Sequence, residues 1–199
     1  SRAVIAGVVD RSIADRRLSP EERGQLAALA HHLGVTLDLD SAREQVLDRY
    51  ARFWQIENGS LPSVVADEVR LEADEVCHLV LPAERYEPHV AAEGPFTEGI
   101  VSVRIARGVY YRVGSVSDEP INRTSLRQVD RGHFAVTSKR VLFAGRGGSS
   151  AFELRDIPSY QVHANGIILE RRGGFGPCFI LDGDVELAAV ILGAALARG

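Results

Sequence analysis

The sequence predicts an α+β chain: an N-terminal helical segment, then an antiparallel β-barrel or sandwich closed by a C-terminal helix. Three observations predict it. Up to about residue 58 the apolar residues recur at helical spacing and two Ser-x-x-Glu caps punctuate them. From Val76 the period changes to two, and short strands alternate with Gly, Pro and Asn turns. The last apolar run, 185–197, is helix-length and follows an acidic cap. The domains predicted are 1–58, a connector at 59–75, and 76–199.

Taken in order, residues 3–16 place Ile5, Val8, Val9 and Ile13 on one helical face. Ser19-Pro20-Glu21-Glu22 is a helix start. The Ser19 hydroxyl accepts a free N–H, Pro20 loses nothing at the first helical position, and Glu22 completes a capping box. Leu26, Leu29, Ala30 and Leu33 form the stripe, and Gly34 ends it. Ser41 and Glu44 open a third helix with Val46, Leu47, Tyr50, Phe53 and Trp54 as its buried side, ending near Asn58-Gly59. Residues 59–75 mix turn residues with acids and read as the connector.

Strands are expected at 76–81 (stopped by Pro82), 84–89, 100–105, 109–113, 132–136, 139–144, 150–154, 160–163, 167–171 and 178–181. Residues 114–130 read as a polar loop that ends in a turn of helix. Thr137, Ser138 and Lys139 bend one hairpin, and Asn165-Gly166 signals a type I′ turn in another. Asp182 or Asp184 caps the last helix, whose packing face is Leu187, Val190, Ile191 and Leu196.

Composition is globular, with 45% hydrophobic and 25% charged residues. No apolar run reaches the length of a membrane-spanning helix, and no leader peptide is visible. Cys77 and Cys178 read as small buried hydrophobes, with a disulfide between them as the alternative. A chain without Met that begins with Ser reads as a piece of a longer protein. Charge is polarised: residues 1–98 carry 10 basic and 18 acidic side chains, and residues 99–146 carry 9 basic and 3 acidic. That basic middle holds the candidate ligand-binding residues Arg104, Arg107, Arg112, Lys139, Arg140 and Arg146, cations suited to phosphate or carboxylate.

Other groupings fall to structural readings. Gly145-Arg146-Gly147-Gly148 lacks the Lys-Ser/Thr of a phosphate loop and reads as a hairpin turn. Asp38, Asp40 and Glu44 miss the spacing of a calcium loop. His31 and His32 are adjacent and so cannot share a helix face. Tyr110 and Tyr111 alternate across a strand, leaving one to stack on a base. His133 and His163 read as packing residues. No catalytic residue, metal site or cofactor is expected.

The segment 1–58 resembles the helical repeat of TerB-like domains, first named from tellurite-resistance proteins, over about 35 to 50 residues and through Asp15, Ser19, Glu21, Glu22, Leu29, Ala30, Leu33 and Gly34. The same segment resembles helical extensions behind exonuclease domains in some actinobacterial proteins. Residues 131–199 resemble bacterial PH-like and GRAM-like domains through Gly132, Phe134, Val136, Thr137, Lys139, Arg140, Leu142, Phe143, Ile157, Asn165-Gly166-Ile167 and the closing helix. With the strands from Val76 to Val113 the likeness covers about 125 residues; the insertion 114–130 departs from it. The resemblance implies a PH-like barrel and a non-enzymatic regulatory module of a larger bacterial protein. Its partners would be a protein or other domains of the parent chain. In phosphoinositide-binding members, basic residues at an early hairpin hold phosphates, which points to Lys139 and Arg140, although Arg140 falls on an Arg that looks structural in that family. The alternatives are an anionic phospholipid surface bound through the patch 104–146 and, third, an accessory domain of a DNA-processing nuclease. The implied location is cytoplasmic, or peripheral to the membrane.

Overall fold

The computed structural model describes residue 7 and residues 13–34, 41–90, 102–106, 109–112, 124–171 and 174–198. The chain divides into two units, Ser1–Ser60 and Leu61–Gly199.

In the first unit the capping box forms as the sequence predicts. Glu22 N–H donates to Ser19 Oγ at 3.2 Å, and Ser19 N–H donates to Glu22 Oε2 at 2.8 Å. Helix α1, Pro20–His32, follows, with Gly34 beyond it at φ +62°. Leu26 and Ala30 are buried, whereas Leu33, expected in the stripe, is exposed. Helix α2 spans Ser41–Glu57, so Ser41 is its first residue rather than its cap. It ends as Asn58-Gly59 demands. Gly59, at φ +111°, donates to Ile56 O, and Ser60 donates to Gln55 O at 2.8 Å. Leu18, Leu26, Ala30 and Leu47 form the core, with Ile13, Tyr50 and Ala51 packed on it. Arg17 grips Glu57 through two N–H groups, at 2.7 and 2.6 Å, and its guanidinium lies 5.3 Å from the Phe53 ring centroid. Replacing Ser19 by Ala should destabilise this unit by about 1 kcal/mol. Trp54, the single tryptophan, reports the denaturation midpoint; an unmoved midpoint would refute the cap's role. The expected helix at 3–16 and the acids Asp38 and Asp40 lie outside the described residues, save for Gly7, which is helical, and a turn at 13–16.

The second unit is one antiparallel sheet of seven strands in the order β6-β5-β4-β1-β9-β8-β7. Its strands are β1 (Cys77–Val90), β4 (Thr124–Thr137), β5 (Arg140–Gly145), β6 (Gly148–Glu153), β7 (Tyr160–His163), β8 (Gly166–Arg171) and β9 (Gly174–Leu181). β2 (Ser102–Ala106) and β3 (Val109–Arg112) form a separate hairpin. The sheet is not closed: β6 and β7 are its edges. One face is apolar across successive strands through Leu81↔Phe134, Phe134↔Phe143, Val136↔Val141 and Val141↔Phe152. Phe179 sits among Phe134, Phe143 and Phe152, with ring centroids 5.1, 5.5 and 6.2 Å away. Helix α3 (Val185–Leu196) is capped by Asp184, which accepts from Leu187 N–H at 3.0 Å. It packs against the sheet and also meets β2. It therefore buries Ala188, Ala189, Leu192, Ala194 and Ala195 as well as Val190 and Ile191, more than the single face expected.

Four further expectations are corrected. Pro82 does not stop a strand: β1 runs through it and through Pro88. The Pro82 carbonyl accepts from Asp182 N–H at 2.9 Å, so its missing N–H faces past the end of β9, where no ladder bond is lost. Residues 124–130 are not loop but the first half of β4, paired with β1 from Thr124↔Val90 to Asp130↔Arg85, with a bulge at exposed Val129. The β7–β8 turn is Ala164-Asn165, neither at positive φ, and Gly166 already belongs to β8. A Cβ at Gly166 would lie 2.3 Å from Phe179 O, so close backbone approach, not turn geometry, requires the glycine. His163 is exposed rather than packed. Cys77 and Cys178 are free and buried, on β1 and β9. Residues 113–123 and Gly173 lie outside the described residues.

Candidate functional site

Residues 61–75, most of the expected connector 59–75, lie across the other face of the sheet. Ala66 and Val69 pack with Cys77, Ala135 and Leu142. Val64 N–H donates to Cys77 O at 2.8 Å. His78 Nδ1 lies 2.6 Å from Pro62 O and must carry its proton there, since a carbonyl only accepts.

This strap ends at the β4–β5 turn, where it meets the strongest pair of candidates. The side chain of Glu75 is 0% exposed. Its Oε1 takes bonds from Thr137 Oγ1 at 2.6 Å and Arg140 Nε at 3.0 Å; its Oε2 takes bonds from Arg140 Nη2 at 2.9 Å and Glu72 N–H at 2.8 Å. Burial pushes the Glu75 carboxyl up, but the bonds from Arg140 and Thr137 outweigh it and hold it below the ordinary value. Arg140 also pairs with Glu72 at 2.9 Å and is raised by its bond to Glu75. Lys139 Nζ donates to Ala73 O at 3.0 Å and lies 3.6 Å from Glu72. The sequence missed Glu75. Its only local mark, an acid directly ahead of an apolar strand, is one that any connector acid shares.

Arg146 lies at the opposite end of β5, roughly 20 Å away by strand rise, so the candidates are not gathered into one patch. Arg104 and Arg112 lie on the separate hairpin, opposite Tyr110 and Ser102; Arg107 is outside the described residues. The turn that carries Arg146 is the hairpin expected from Gly-Arg-Gly-Gly. Two of its backbone N–H groups are filled: Asp130 accepts from Arg146 N at 3.1 Å and Gly147 N at 3.0 Å, and also from Arg131 N on β4 at 2.8 Å. The bond from Gly147 leads the causes that hold the Asp130 carboxyl below its usual range.

Around Arg146 the sheet forms an open groove of about 760 Å³. Ala83, Gly132 and Gly145 leave room in it, and Arg131, His133, Glu84 and Asp182 border it. Gly132 admits no side chain, because a Cβ would lie 1.9 Å from Ala144 O. Arg131, 63% exposed at its side chain, reaches Glu84 at 2.8 Å, and Tyr86 donates to the same carboxylate at 2.8 Å. Half-buried His133 lines this groove. Among the described residues no cluster of three metal-ligating side chains forms, and no helix is long and apolar enough to cross a membrane. The chain matches no protein-family model, no curated protein and no solved structure.

Proposed function

We propose that this chain is a non-enzymatic interaction module: a TerB-like helical unit followed by a PH/GRAM-like β-domain that binds another protein or other domains of its parent chain. One observation carries the choice of protein over lipid. The best anion-binding pair in the sequence, Lys139 and Arg140, is engaged internally by Glu72, Glu75 and Ala73 O. A headgroup phosphate would have to displace a buried carboxylate that already accepts four hydrogen bonds. The PH-like reading draws support from the strand order, in which β1 joins the run β4-β5-β6 to the run β7-β8-β9 and a helix closes the chain. The capping box and Gly34 support the TerB-like reading.

The test is co-sedimentation with phosphatidylserine vesicles beside a duplex-DNA titration, each at low and physiological salt. Neither ligand should bind at physiological salt. Exposed Arg131 and Arg146 favour the lipid surface as second reading, at the end of β5 away from Lys139. Salt-sensitive vesicle binding that disappears in Arg131→Glu plus Arg146→Glu would establish it instead. Salt-sensitive DNA binding would move the chain to the nuclease-accessory reading.

A further inference from the structure

The two edges of the sheet are treated differently. The edge at β7 has β3 of the hairpin lying against it. Among the described residues no strand pairs with the outer edge of β6. Natural edge strands are usually blunted by Lys, Pro, a bulge or a covering element. β6 reads GSSAFE, with no Lys, no Pro, a regular register against β5 and one charge at its end.

The groups that face outward follow from the ladder. Leu154 N–H donates to Lys139 O at 3.0 Å. Stepping two residues at a time, Phe152↔Val141, Ser150↔Phe143 and Gly148↔Gly145 are the hydrogen-bonded pairs. Ser149, Ala151 and Glu153 therefore turn their N–H and C=O groups to the open edge. Beside that edge is a second depression, of about 320 Å³. Ser149, Ala151, Leu142 and Ala144 line it, and the strap adds Val69 and Leu71. Arg70 stands at its rim. Glu72 is engaged by Arg140 and Lys139, whereas Arg70 has no acidic partner among the described residues.

We propose that an extended segment of a partner protein adds to β6 as an eighth strand, with larger apolar side chains at alternate positions over Ser149 and Ala151 and an acidic residue beside Arg70. Main-chain bonds would supply affinity and the depression specificity. The occupant is a foreign segment because a second copy of β6 would bring only Ser149 and Ala151 again, too small to fill the space. This inference rests on the protein-binding reading above.

The probe is a labelled peptide of about ten residues, with Val and Ile alternating with Thr and Ser and a Glu at one end. Its control is a scrambled peptide of the same composition. Titration with the full chain should show the alternating peptide binding at least about tenfold tighter than the control. Amide shifts should fall on residues 148–153. Ala151→Pro removes an outward N–H without touching the ladder to β5, and should weaken binding by about tenfold or more. Ala151→Lys tests the same edge should the proline variant fail to fold. Equal affinity in folded variants, or no binding of either peptide, overturns strand addition. Shifts confined to the groove at His133 and Arg146 overturn it too, while leaving protein binding intact. Sedimentation showing a dimer that Ala151→Pro dissolves replaces the partner by a second copy. Vesicle or DNA binding without peptide binding removes the parent reading as well.

Discussion

Replacing Phe179 by Ala should destabilise the β-unit by about 4 kcal/mol. The ring is fully buried and touches three other rings, contributed by β4, β5 and β6. Strands from both halves of the sheet meet at this side chain. Removing it leaves a cavity that close-packed neighbours cannot collapse to fill, and forfeits the aromatic contacts besides. A loss of that size is a large share of the stability of an ordinary domain. Denaturant unfolding followed by far-UV circular dichroism measures it. Phe179→Leu, which retains most of the volume, should cost less than about 2 kcal/mol. A loss below about 1 kcal/mol for the Ala variant would show that Phe179 is not the centre of the core.

Arg140→Leu should cost about 3 kcal/mol, because it strands the Glu75 carboxylate in a buried position with only Thr137 and a backbone N–H to hold it. Adding Glu75→Gln should recover most of that loss, since an amide needs no counter-charge. A double-mutant cycle then isolates the coupling, expected near 2 kcal/mol. Additive losses would refute the pair as a unit. The pH dependence has a definite sign. The Glu75 carboxyl is held below its ordinary value of 4.5 in the folded chain. Its contribution is therefore present above that value and is lost as pH falls through the lower folded value. In Arg140→Leu the folded carboxyl moves up from its depressed value, so less stability is lost through Glu75 on acidification and the acid limb of the profile should flatten. An unmoved limb would mean that Arg140 does not set the ionisation of Glu75.

These two sites differ in how far they could be read in advance. The strand with Phe179 was legible, because 178–181 is apolar and bounded by turn residues. Its partners were legible as strand residues too, but not as one cluster. The Glu75–Arg140 pair was not legible, since its members stand 65 positions apart and nothing local at Glu75 distinguishes a buried acid from a connector acid. Residues 124–130 were misread for a related reason. Their composition is polar, and they become strand by pairing with the second half of β1 rather than by their own alternation. Pro82 and Gly166 misled because each was assigned the commonest local role of its type. Their actual roles, a missing N–H turned past the end of β9 and a Cα pressed against Phe179 O, depend on a neighbouring strand.

The sequence by itself determined the helical first unit with its Ser19 cap, the change to strands after Val76, a closing helix capped by Asp182 or Asp184, and the burial of both cysteines. These depend on capping, periodicity and hydropathy, which act over a few residues. Only the tertiary structure decided that the strap's glutamates occupy Lys139 and Arg140, that Arg131, His133 and Arg146 share one groove, and that among the described residues no strand covers the outer edge of β6. Charge pairing, groove shape and edge exposure are relations between segments distant in sequence, and chain topology alone brings such segments together.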